Sequence, residues 1–106
     1  MSEDSERRRT ERRECLLSAS YRQAGDEGFY LVALVQDLTL RGASLILSRP
    51  VALDTHLQVK VQVPESEEAV RRELHIKHIT PYGDSAWIAG GPFDRELEPA
   101  EYNLLK

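Results

Sequence analysis

An all-β fold is predicted for this chain: a small six-stranded antiparallel β-barrel, preceded by a flexible basic N-terminal arm and ended by a short C-terminal helix. Three observations predict it. Leu57, Val59, Val61 and Val63 alternate with Gln58, Lys60 and Gln62, the period-two pattern of a half-buried strand. Cys15, Leu17, Ala19 and Tyr21 alternate in the same way with Leu16, Ser18, Ser20 and Arg22. Such segments follow one another at short spacing with no room for a long crossover helix, which argues for a barrel and against a parallel sheet.

Residues 1–13 are almost free of apolar side chains and cannot pack a core, so they form an arm expected to be mobile unless something binds it, with the barrel domain spanning 14–106. The strand from Cys15 to Tyr21 is followed by Gln23-Ala24-Gly25-Asp26-Glu27-Gly28, a run of turn formers. Phe29 to Gln36 is apolar on both parities, which predicts a strand buried on both faces or covered by a helix. Asp37–Gly42 interrupts it, and Ala43 to Leu47 resumes as a strand that Arg49-Pro50 closes. After Leu57–Val63 and an acidic loop from Pro64 to Glu68, Val70 to Thr80 reads as one long strand. It would carry Leu74, Ile76 and His78 on one face and His75, Lys77 and Ile79 on the other. Pro81-Tyr82-Gly83-Asp84 is a turn, and Ala86 to Phe93 is a last strand broken at Gly90-Gly91. Pro99 suits a first helical position, with Tyr102, Leu105 and Lys106 following at helical spacing.

Composition narrows the function. With 106 residues, 41% hydrophobic and 30% charged, the chain makes one small globular domain. No apolar run approaches the ~18–20 residues a bilayer span needs, so no membrane insertion is expected. Met1-Ser2-Glu3-Asp4 has no apolar segment, so no secretory signal is expected either. The single cysteine, Cys15, excludes an internal disulfide and suits a cytoplasmic location. A net charge of −4 argues against a general nucleic-acid binder. The charge is unevenly spread, however. Five of the fourteen basic residues fall between positions 7 and 13, while glutamates crowd the later half. A cationic patch on an acidic body suits a small polyanion better than a long one. His56, His75, His78 and Cys15 have no metal-ligand spacing, so neither metal nor cofactor is expected. No G-x-S-x-G, Walker A or paired-carboxylate pattern is present, and Cys15 reads as a core filler, so no enzyme is predicted.

Two motifs remain. Arg7-Arg8-Arg9-Thr10-Glu11-Arg12-Arg13 contains R-x-x-x-R, as Arg8/Arg12 and again as Arg9/Arg13. Asp37-Leu38-Thr39-Leu40-Arg41-Gly42 is D-x-T-x-x-G between two strands. Taken singly, the first is satisfied by a solvated charged tail and the second by a plain turn. Their order and spacing, together with Gly90-x-x-Phe93 ahead of the helix, resemble the PilZ domain, a bacterial receptor domain for cyclic di-GMP whose motifs are RxxxR and [D/N]xSxxG.

The resemblance covers nearly the whole chain. It implies that Arg8 and Arg12 are the arginine pair, a register that sets the first strand and Tyr21 at the family's usual distance. It implies ligand contacts at Asp37, Thr39 and Gly42, and for Arg7 a part in holding a second stacked ligand molecule. Thr39 departs from the family serine but keeps the hydroxyl. The chemistry is consistent with these assignments. A guanidinium meets guanine O6 and N7 at once, and a second one pairs with phosphate or stacks on a purine. Asp37 accepts from the guanine N1–H and N2–H₂ edge, the Thr39 hydroxyl supplies a donor, and Gly42 permits close backbone approach. The implied function is a cyclic di-GMP receptor that acts on an unidentified protein partner by ordering its arginine arm. The alternative is a PilZ-like interaction module that binds no nucleotide.

Overall fold

The computed structural model describes residues 16–106. It contains strands β1 (Leu17–Gln23), β2 (Leu31–Leu38), β3 (Gly42–Leu47), β4 (His56–Gln62), β5 (Ala69–His75), β6 (His78–Tyr82) and β7 (Ala86–Pro92), followed by helix α1 (Pro99–Leu105). All seven strands belong to one antiparallel sheet in the order β5-β4-β1-β2-β3-β7-β6. The edge strands β5 and β6 are consecutive in the chain, so the sheet must curl until its two ends approach each other. An isolated bridge from Leu74 to Phe93 marks the meeting of β5 with the end of β7.

Period-two alternation places the core on the concave side. Leu17, Ala19 and Tyr21 of β1, Leu57, Val59 and Val61 of β4, and Leu45 and Leu47 of β3 all point inward and are buried. Burying each of the larger aliphatic side chains contributes about 1.5–3 kcal/mol. Arg72 has the same inward parity on β5, between Val70 and Leu74, and its side chain is only 4% exposed. Its guanidinium donates to the carbonyls of Arg71, Arg95 and Glu96 and to the Glu101 carboxylate, so the buried charge is paired. Those bonds fasten the segment after β7 and the start of α1 to β5. Helix α1 begins at Pro99, is capped by Glu101 accepting from the Glu98 N–H at 2.8 Å, and buries Leu105.

The strand count is seven where the sequence predicts six, because the expected strand Val70–Thr80 divides at Ile76-Lys77. There the backbone turns a corner: Ile76 N donates to Thr55 O at 2.9 Å, Asp54 N to Ile76 O at 2.7 Å, and Lys77 N to Gly90 O at 2.8 Å. The chain leaves one sheet edge and joins the other. Alternation fails at this point, so His78 does not share a face with buried Leu74 and Ile76 but is exposed. Two further expectations are corrected. The outer face of β2 is not covered, since Val32 is 77% and Leu34 41% exposed. Strand β7 is not broken by Gly90-Gly91 but runs through them to Pro92. A Cβ at Gly91 would lie 1.8 Å from His75 O, so glycine here is what lets the corner pass.

Candidate functional site

Asp37 is aimed outward by a β-bulge. Leu34 pairs with Ile46 and Val35 with Leu45, but the next pair is Asp37 with Ser44, leaving Gln36 as an extra residue. Two consecutive residues therefore face out between buried Val35 and buried Leu38. Without the bulge the Asp37 carboxylate would be directed into the core.

Asp37 is thus the last outward residue of β2, and Gly42 is the first residue of β3, so the expected interruption shrinks to Thr39-Leu40-Arg41. The Thr39 hydroxyl builds this link. Its oxygen accepts from Arg41 N and Gly42 N, both at 3.1 Å, and it donates to Gly42 O at 3.3 Å. A hydroxyl has one proton and two lone pairs, and all are used within the turn. The segment after β7 braces the same link, with Phe93 N donating to Arg41 O at 2.7 Å and Leu97 N to Leu40 O at 2.8 Å. The Asp37–Gly42 and Gly90-x-x-Phe93 motifs, distant in sequence, are therefore in direct contact.

Gly42 is required by its neighbour strand: a Cβ there would lie 2.2 Å from Gly91 O and 3.0 Å from Pro92 Cα. Close β3–β7 approach leaves a depression of about 310 Å³ on the outer face of the sheet, lined by Asp37, Thr39, Gly42 and Ser44 on one side and by His78, Gly91 and Pro92 on the other. Arg41 also lines it, 3.4 Å from Glu96 in an exposed ion pair of little energetic weight. Three of the sequence-assigned residues, Asp37, Thr39 and Gly42, are brought together here. Arg7, Arg8 and Arg12 lie outside the described residues.

Ser44 and His78 were not singled out from sequence. Ser44 was legible in principle, being the polar outward position between Ala43 and Leu45. His78 was not, because its side depends on the corner at Ile76-Lys77. The other two histidines lie elsewhere. His56 and His75 stack across β4 and β5 with ring centroids 4.3 Å apart, beside Glu73 and Asp54 respectively. Hydrogen bonds from His75 and Lys77 hold the Asp54 carboxyl below its ordinary pKa. Among the described residues no group of three potential ligands is arranged to hold a metal ion, and no helix is long and apolar enough to cross a membrane.

Comparison with known proteins agrees with this fold. A family model described as "PilZ domain" matches residues 6–106. Among solved structures, the Bacillus subtilis inhibitor of motility MotI/DgrA superposes with a TM-score of 0.59 at 13% sequence identity, over 85% of this chain and 44% of that one. The likeness is one of fold, and this chain spans less than half of that neighbour's length. No curated protein matches the sequence.

Proposed function

This chain belongs to the PilZ domain family, and we propose that it is a cyclic di-GMP receptor in which Arg8 and Arg12 close over the depression beside Asp37. One observation carries the reading. Leu17 pairs with Val35, so the chain enters β1 alongside the end of β2 that bears Asp37. Arg12 is four residues before Leu16, and four extended residues reach at most about 14 Å. Chain length thus keeps Arg12 within covalent reach of the sheet end that bears Asp37, which supports this reading. The family match starting at residue 6 includes both arginines.

In this reading the arginines grip guanine edges and phosphates, with Arg7 assisting when a second ligand molecule stacks on the first. Asp37 accepts from a guanine N1–H and N2–H₂ edge. Thr39 contributes by shaping the turn, and Gly42 by keeping β3 close to β7. Fixing the arginine segment over the outer face changes the surface offered to a partner protein. A second reading, an interaction module without nucleotide, is favoured by the exposed apolar side chains Phe29, Val32 and Leu34.

Calorimetric titration with cyclic di-GMP separates the two. Saturable binding is expected, with Arg8→Ala or Arg12→Ala each costing ~1–3 kcal/mol and Arg49→Ala, remote from the depression, costing almost nothing. Equal losses at all three positions would indicate nonspecific electrostatics, and absence of binding heat would favour the interaction module.

A further inference from the structure

His78 on β6 forms the wall of the depression that faces Asp37. Asp37 pairs with Ser44, Ser44 with Gly90, and Gly90 with His78, so these residues form one row across β2, β3, β7 and β6. At about 4.8 Å between neighbouring strands, the row runs about 14 Å from Asp37 to His78. Gly90 sits between Ser44 and His78 in this row. A Cβ placed there would lie 2.8 Å from Ser44 Oγ and 3.0 Å from His78 Cε1. The Ser44 hydroxyl and the imidazole therefore lean toward each other over a residue that has no side chain of its own.

We propose that His78 is a ligand-contacting residue of this site, donating a ring N–H to a phosphodiester oxygen of the bound cyclic dinucleotide. The proposal rests on the cyclic di-GMP reading given above. The lining explains the choice of a phosphate. Asp37 is an acceptor suited to a base edge, and the Thr39 hydroxyl is consumed within its turn. Arg41 faces Glu96. Among the described residues of the lining, His78 is the ring nitrogen donor opposite Asp37, and imidazole retains at least one N–H in either protonation state. A ligand that offers a guanine edge to Asp37 and carries anionic phosphodiesters meets complementary chemistry at both ends of the row. Lys77, next in sequence, is turned toward Asp54 at 3.5 Å and does not compete for this position.

Titration of the whole chain with cyclic di-GMP tests this through three substitutions at an exposed position that the fold tolerates. Removing a hydrogen bond to a charged group, His78→Ala should weaken binding about tenfold, with the thermal midpoint unchanged. His78→Gln, which keeps an N–H donor, should stay within about threefold of the parent, and His78→Phe, which keeps only a flat ring, should behave like the alanine variant. Unchanged affinity in His78→Ala overturns the proposal while leaving the receptor reading intact. Affinity kept by phenylalanine and lost by glutamine also overturns it, in favour of stacking. No binding by the parent chain removes the receptor reading itself, and His78 with it.

Discussion

Thr39 stands where the family motif has serine, and its hydroxyl closes the β2–β3 link through two accepted hydrogen bonds and one donated. The hydroxyl, rather than the added methyl group, is what the link uses. Thr39→Ser should therefore leave stability within about 0.5 kcal/mol of the parent, while Thr39→Val should cost about 1 kcal/mol in urea unfolding. Cyclic di-GMP affinity should fall in the valine variant alone, as the turn that presents Asp37 loosens. Tyr21 poses the opposite case. It is 3% exposed, its hydroxyl has no hydrogen-bond partner among the described residues, and burial raises its pKa against the opposing charge of Arg49. Tyr21→Phe removes an unsatisfied polar atom without changing the ring, so stability should stay level or rise. A loss of more than about 1 kcal/mol on urea unfolding would show that the hydroxyl is satisfied in solution. Sequence spacing identified both side chains as notable. It could not say whether Thr39 turns its hydroxyl toward a ligand or into its own turn, because that depends on backbone geometry three residues away.

At the scale of elements, strands with strict alternation were legible because one face is buried and the other solvated. β4 follows that pattern residue for residue, and β1 follows it as far as Arg22. β2 misled because Val32 and Leu34 are apolar on the solvated face, and composition alone reads such a strand as covered on both sides. Its bulge at Gln36 is equally silent in sequence, although it decides that Asp37 faces the depression. Helix α1 was legible from Pro99 and from the spacing of Tyr102 and Leu105, but its anchor, buried Arg72 on the inward face of β5, was not. Glu101 joins the two, and its carboxyl is held below the ordinary range first by the Glu98 backbone N–H and then by Arg72. A carboxylate whose folded pKa is lowered adds stability above its unfolded pKa, and that stability is lost as pH falls through the folded value. The chain should accordingly lose stability on acidification through and below the ordinary carboxylate range, roughly pH 4. Glu101→Gln should flatten that dependence when urea midpoints are compared between neutral and acid pH. An unchanged slope would remove Glu101 from the account.

Across the whole molecule, the two ends of the sheet are joined by the corner at Ile76-Lys77, which Gly91 makes possible. Gly91→Ala would bring a Cβ against His75 O, a backbone atom, and should cost about 3 kcal/mol or more, since no side chain can move aside. The corner was not legible, because it arises where strands distant in sequence meet. Strand β6 is the weak end of the closed arrangement. It is an edge strand, carries Pro81, and has only Ile79 half-buried, so it should open without global unfolding. The row from Asp37 to His78 spans β2, β3, β7 and β6, so a ligand seated along it is held only while β6 is in place. By linkage, ligand at 100 times its Kd stabilises the closed form by about 2.7 kcal/mol and slows exchange through that opening about 100-fold. Hydrogen exchange of the β6 amides should therefore slow sharply with cyclic di-GMP, while amides in the 24–30 loop, which opens without disturbing the row, should not respond. If core amides slow but β6 does not, the ligand binds without reaching His78. If neither responds at saturating ligand, the result favours the interaction module that binds no nucleotide.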